Sequence, residues 1–274
     1  MSVYPPAVRI ERTAWRAQDV TRGERAVPAE VAVAFTYNGG AGAVMMATPA
    51  DLEDFAVGFS LTEGIISAAS EIEALDVIEE PDGIELRMRL SEERARAHGE
   101  RRRYLAGPTG CGLCGIESLT EAMRAPRVVG DGIQVTPVEI MQAVEAMAPL
   151  QRLNRETRAV HGAAFWRPGE GIVALREDVG RHNALDKLCG ALARKSAACS
   201  AGVVLLTSRV SVEMVQKTAA IGASIMVAVS APTALAIRMA QAAGITLVAV
   251  ARSDGFEVFT HPQRVGLKEV ADVA

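Results

Sequence analysis

The stretch Val203–Val250, VVLLTSRVSVEMVQKTAAIGASIMVAVSAPTALAIRMAQAAGITLVAV, decides the fold class. Short apolar runs at Val203–Leu206, Ile225–Val229 and Ile245–Val250 read as buried strands. Val212–Ile221 and Thr233–Ala243 read as helices between them. Strand, helix, strand, helix, strand means an α/β fold with parallel strands and right-handed crossovers. Ligands of such sheets gather beyond the carboxyl ends of the strands, near helix N-termini. Here those ends read Thr207-Ser208-Arg209, Ser230-Ala231-Pro232-Thr233 and Arg252-Ser253-Asp254-Gly255. Helix capping alone would account for Ser230 and Thr233. Three such turns together favour a phosphate-bearing ligand without naming one.

Working upstream, Asn183–Lys195 reads as a helix with Leu185, Leu188 and Leu192 inward, and Cys189 falls on that apolar side as a buried, inert cysteine. Cys199, in the link to the next strand, has no evident partner. Ala163–Phe165 and Ile172–Leu175 pair around Arg167-Pro168-Gly169. Thr136-Pro137 opens a helix through Ile140, Val144, Met147 and Leu150 that is expected to continue to Arg155. Nearer the N-terminus, two hairpins are predicted, one turning at Tyr37-Asn38-Gly39-Gly40 and one at Pro81-Asp82-Gly83. Between them Thr48-Pro49-Ala50-Asp51 resembles a capping box, opening a helix with Leu52, Phe55, Ala56 and Phe59 inward and Gly64 at its end. Residues 1 to about 25 read as an extended arm or edge strand. The expected division is a small α+β subdomain over residues 1–103, a mobile loop over 104–116 and an α/β domain over 117–274.

The chain has 274 residues, 49% of them apolar and only 4% aromatic, enough for a substantial core. A net charge of −4 argues against general nucleic-acid binding. There is no apolar run of membrane-spanning length and no visible secretory signal, so a cytoplasmic protein with no membrane partner is expected. Four cysteines are too few for a disulfide framework. Two of them, Cys111 and Cys114, lie in YLAGPTGCGLCGIESL (Tyr104–Leu119), where glycines and Pro108 rule out a regular element. Between Arg87 and Arg103, seven arginines stand against three glutamates. That run is either a solvated helix face or a positive field that stabilises a thiolate.

Three chemistries fit such a pair of thiols. Zinc would use Cys111, Cys114 and His98, because His98-Gly99-Glu100 approximates the H-x-E…C-x-x-C pattern of nucleobase deaminases. Against it, His98 lies in a charged stretch, and no metal site is expected. Dithiol–disulfide exchange usually starts a helix just after a strand, and no apolar strand precedes Thr109. Nucleophilic sulfur carriage needs an exposed, flexible thiolate in a positive surround, which the loop offers. On these grounds it ranks first only narrowly.

TGCGLCGIESL resembles the CGxCG loop of the FdhD/NarQ family of formate dehydrogenase accessory sulfurtransferases. So do ATPADLEDFAVGFSLTEGII (Ala47–Ile66), EDVGRHNALDKLCG (Glu177–Gly190), SRVSVEMVQKTA (Ser208–Ala219), SAPTALAI (Ser230–Ile237) and FEVFTHP (Phe256–Pro262). The blocks run in order over about residues 30 to 265. The resemblance implies a cytidine deaminase-like α/β sandwich with a smaller N-terminal α+β subdomain, and a homodimer. It implies a cytoplasmic sulfur carrier that accepts persulfide sulfur from a cysteine desulfurase. That sulfur then passes to the molybdenum cofactor, bis(molybdopterin guanine dinucleotide), for formate dehydrogenase. It places the persulfide on Cys111 with Cys114 assisting, whereas helix proximity alone would prefer Cys114. It also assigns cofactor binding to Phe256, Glu257, Val258, Phe259, Thr260 and His261. These residues follow the last parallel strand, where the guanine-dinucleotide phosphates could meet the carboxyl edge of the sheet. His182 fits a structural and a ligand-binding role equally, and Asp178 and Lys187 would fix loops or a subunit interface. Thr157–His161 departs from the family pattern, so no role for His161 follows. A zinc-dependent hydrolase and a non-catalytic cofactor chaperone are the alternative readings.

Overall fold

The computed structural model describes residues 3–97 and 126–267. Its larger sheet has the order β12-β11-β10-β9-β7-β8. The strands are β7 (His161–Arg167), β8 (Gly171–Asp178), β9 (Val203–Leu206), β10 (Ile225–Ala228), β11 (Thr246–Arg252) and β12 (Gly255–Val258). β9, β10 and β11 are parallel, with Val203 opposite Ile225 and Ile225 opposite Thr246. Val203–Leu206, Ile225–Ala228 and Leu247–Ala251 are unbroken apolar runs because both faces are covered. Val204 and Leu206 point to one core, Val203 and Leu205 to the other, as a period of two requires. The α/β expectation is borne out.

One face carries α4 (Arg181–Arg194), α5 (Val212–Ala220) and α6 (Ala234–Ala243). The other carries α2 (Pro137–Leu150), which buries Ile140, Ala143 and Met147. Thr136 and Glu139 close a reciprocal capping box at its start. The helix does not run on to Arg155. Pro149, which has no N–H to donate, sits in the last turn, and the chain breaks at Gln151 before α3 (Arg152–Thr157). The Glu177 carboxylate then accepts the N–H groups of Leu153 and Asn154 at 2.8 Å, capping α3 from outside.

The smaller sheet has the order β4-β3-β6-β5, from β3 (Val31–Tyr37), β4 (Gly40–Ala47), β5 (Ile72–Glu80) and β6 (Gly83–Leu90). Both predicted hairpins form, and β3 pairs parallel with β6 to join them. α1 (Leu52–Thr62) stacks Phe55 and Phe59 on Phe35, with ring centroids 5.0 and 4.3 Å from it. The helix starts after Asp51, which has a left-handed φ of 53° and makes no side-chain cap. Thr48 is occupied elsewhere, as its hydroxyl accepts the Val179 N–H. The opposite face of α1 lies on α4, where Gly58 and Gly190 let the two backbones meet.

Two buried ion pairs join the sheets. Lys187 Nζ donates to Asp178 at 2.6 Å and to the Thr48 carbonyl at 2.8 Å, and both charged side chains are fully buried. Asp178 also accepts from the N–H groups of Thr48 and Gly180 and from Asn183. The pair therefore fixes one chain's own parts together. Lys217 reaches Asp186 at 2.9 Å and Glu63 at 2.8 Å. Burial opposes its charge, but those two carboxylates outweigh that and hold the ammonium above its ordinary value. The N-terminal arm is a hairpin of its own, β1 (Ala7–Arg16) against β2 (Asp19–Pro28), exposed along most of its length.

Candidate functional site

Cys111, Cys114, His98 and the 104–116 loop lie outside the described residues. The other two cysteines are poor nucleophiles. Burial pushes the Cys189 thiol well up, and that of Cys199 up to about 11. Among the described residues, no group of three or more His, Cys, Asp or Glu side chains could hold a metal ion.

The carboxyl end of β9 is where polar groups converge. β7 runs antiparallel to β9, so its first residues, His161 and Gly162, arrive beside Leu206 and Thr207. β8 ends there too, with Asp178 opposite His161. α4 starts immediately afterwards with Arg181 and His182, behind an N-cap glycine that offers no side chain. α5 starts nearby with Ser211 as an N-cap whose hydroxyl makes no cap bond. Arg181 Nε and Ser211 Oγ are buried, as are His182 Nε2 and Glu213 Oε2, which face each other at 3.9 Å, and none of the four is within hydrogen-bond distance of a partner. The Gln151 amide nitrogen, against Gly162, is also buried without one. Each such group costs about 1–3 kcal/mol when unsatisfied, and a cluster of them marks a place that a ligand or solvent completes.

The electrostatics give the edge both signs. His182 Nε2 lies 3.9 Å from Glu213 Oε2, and the imidazole is the main influence holding that carboxyl down at about 2. Burial first, then the Arg181 charge, lowers His161, which favours its neutral form. The edge thus offers a carboxylate, a guanidinium and an uncharged imidazole. It can bind a group with anionic oxygens at Arg181 and donors at Glu213. His161 can take up a proton. Val250, near the end of β11, has a φ of 52°, a strained conformation for a β-branched residue, at an irregularity in the pairing with β12.

Of the three turns noted in the sequence, only the first contributes to this cluster. The Thr233 hydroxyl accepts the Ala236 N–H as a helix cap, and Arg252–Gly255 is a hairpin turn into β12. That turn alters the expected position of the 256–261 segment. β12 runs antiparallel to β11, so the segment starts at the carboxyl edge and leads back to the amino edge. Phe256 and Val258 pack on the α2 side, Phe259 on the opposite side, and Glu257 is exposed. Thr260 is buried; its hydroxyl accepts the Leu247 N–H at 2.9 Å and donates to the Ile245 carbonyl at 2.7 Å. His261 Nε2 lies 3.0 Å from the Gln241 carbonyl, at the end of α6. Because the strand is added antiparallel, only the start of the segment lies at the carboxyl edge and its end, at His261, does not. Arg181, Ser211 and Glu213 lie within the motif blocks of the sequence, but nothing there gave them a role. The available signal was a helix starting at Gly180 without a capping side chain.

A six-stranded mixed α/β sheet with a parallel centre and a polar carboxyl edge, joined through paired helices to a four-stranded sheet, defines the class of protein. The FdhD/NarQ family model matches residues 28–266, and the chain belongs to that family. It is 56% identical over 266 residues to the Sulfur carrier protein FdhD of Agrobacterium fabrum, covering 97% of this chain and 98% of that protein. Its identity to the protein of the same name from Brucella abortus is 49%, covering 93% and 96%. The fold matches the crystal structure of a protein from Desulfotalea psychrophila described as a candidate formate dehydrogenase accessory protein. The TM-score is 0.74 at 26% identity, covering 95% of this chain and 100% of that one. No described helix is long and apolar enough to cross a membrane.

Proposed function

We propose that this protein is a cytoplasmic sulfurtransferase that carries sulfur on Cys111 during the maturation of formate dehydrogenase. The supporting observation is its 56% identity, over nearly its whole length, to a protein named a sulfur carrier. The Cys111 thiolate attacks the terminal sulfur of a persulfide on a cysteine desulfurase. The donor's S–S bond breaks, its cysteine leaves as a thiolate, and Cys111 holds the sulfur as a persulfide. Cys114 then attacks Cys111, and sulfur departs at the sulfide level. The two electrons come from the dithiol, which closes to a disulfide.

The acceptor is bis(molybdopterin guanine dinucleotide), bound as a client, with Phe256–His261 as its family-assigned segment. Arg181 and Ser211 suit its phosphate oxygens, and Glu213 suits the donors of a guanine. Glu257, exposed and near the carboxyl edge, is the member of the segment best placed to touch the client, whereas Thr260 is committed to the fold. The protein acts as a homodimer.

Intact-mass spectrometry after incubation with a cysteine desulfurase and cysteine tests this reading. A gain of about 32 Da, one sulfur atom, is expected on Cys111 and is lost in Cys111→Ala. Absence of the adduct from the unsubstituted protein overturns the carrier role.

A further inference from the structure

The β1–β2 hairpin meets α3 around a cavity of about 620 Å³. Five arginines line it, Arg9, Arg16 and Arg25 from the hairpin and Arg155 and Arg158 from α3 and its C-cap, with Glu156 as the one carboxylate. Arg9 lies 3.8 Å from Glu24, and Arg25 donates to the Thr157 carbonyl at 3.1 Å, closing the C-terminal end of α3. Arg16, Arg155 and Arg158 are exposed and make no side-chain hydrogen bond or ion pair among the described residues. The chain as a whole carries a net charge of −4, so this concentration does not follow from its composition. Segments more than a hundred residues apart have brought like charges together, which costs stability unless an anion answers them.

The shape of the cluster selects the anion. Arg9 and Arg16 lie seven residues apart on one strand, so their Cα atoms are about 23 Å apart at 3.3 Å per residue, and the charges are spread along the ribbon. An extended chain bearing carboxylates matches charges spread in that way better than a single compact phosphate does. Guanidiniums pair with carboxylates in a two-pronged geometry. The cavity has no aromatic ring on which a base could stack. The ribbon has only two strands, so each has an unpaired edge to which an extended segment can add. We infer that this junction docks an extended acidic segment of a partner protein. The inference is independent of the chemistry assigned to Cys111.

The test is fluorescence anisotropy of the full chain with a labelled octaglutamate peptide at low salt. An Arg16→Gln, Arg155→Gln, Arg158→Asn triple variant is expected to bind at least about 10-fold more weakly. Asn suits position 158, whose φ is left-handed. Arg12→Gln, on the same hairpin but outside the cavity, should bind like the unsubstituted protein with an unchanged thermal midpoint, and the thermal midpoint of the triple variant, relieved of like charges, should be no lower than that of the unsubstituted protein. Octaglutamine should not bind, and added salt should weaken the octaglutamate complex. Equal binding by the triple variant and the unsubstituted protein overturns the inference. So does tighter binding of a labelled oligothymidylate or of tripolyphosphate at the same arginines.

Discussion

Gly58 on α1 and Gly190 on α4 face one another's helix so closely that each excludes any side chain. A methyl group on Gly58 would lie 1.7 Å from the Asp186 carbonyl oxygen, and one on Gly190 would lie 1.8 Å from that of Asp54. Backbone atoms cannot step aside as side chains do. Gly58→Ala and Gly190→Ala are each expected to destabilise the protein by about 3 kcal/mol or more, the upper range for overpacking. Urea denaturation measures this; an unchanged midpoint would mean the helices do not cross here.

Lys187 and Asp178 illustrate a different dependence. Burial pulls the lysine pKa down, and the Asp178 charge opposes it. Removing one partner strands a buried charge, so Lys187→Met should cost about 3–5 kcal/mol. A Lys187→Met, Asp178→Asn double variant should recover part of that loss in the same measurement. A double variant as unstable as the sum of the two single ones would argue against coupling.

Acid should act through Glu213. Its carboxyl is held at about 2, below its ordinary 4.5, principally by His182. The folded state therefore binds this proton less readily than the unfolded chain. The stability it contributes is present above pH 4.5 and is lost as pH falls toward about 2. Urea midpoints taken between pH 5 and 2 should fall less steeply in Glu213→Gln. In His182→Gln the loss contributed by Glu213 should be smaller and should be complete at a higher pH, because its folded-state pKa moves back toward 4.5. Identical slopes in all three proteins would exclude this contribution.

The 256–261 segment should divide into structural and ligand-facing residues. Thr260→Val keeps the shape but leaves the Leu247 N–H and Ile245 carbonyl without their partner, at a cost of about 1–3 kcal/mol. Glu257→Ala, at an exposed position, should leave stability within about 0.5 kcal/mol of the unsubstituted protein. Calorimetry with a guanine nucleotide should show weakened binding for Glu257→Ala. Equal affinity in that variant would remove Glu257 from the client site.

Much of the fold was legible because it is written in short-range patterns. The Val203–Val250 run alternates buried strands with helices, the Asn38-Gly39 and Asp82-Gly83 turns announce hairpins, and Cys189 falls on the buried side of its helix as its spacing predicts. The thiol pair and the block order also sufficed to suggest the family. The N-terminal hairpin was harder to read. A ribbon exposed on both faces has no apolar alternation to betray it.

The sequence by itself determined the α/β class and most element positions. Those depend on periodicity, turn chemistry and residue type, all of which act over a few residues. Only the tertiary structure decided which parts meet. The parallel pairing of β3 with β6, the Gly58–Gly190 crossing and the Lys187–Asp178 pair each join distant segments. The direction in which β12 is added carries His261 away from the carboxyl edge, and the start of β7 brings His161 toward it. Arg181, Ser211 and Glu213 become a site for the same reason. Each begins a helix unremarkably, and only the packing of those helix ends around β9 leaves their polar atoms buried and unpartnered.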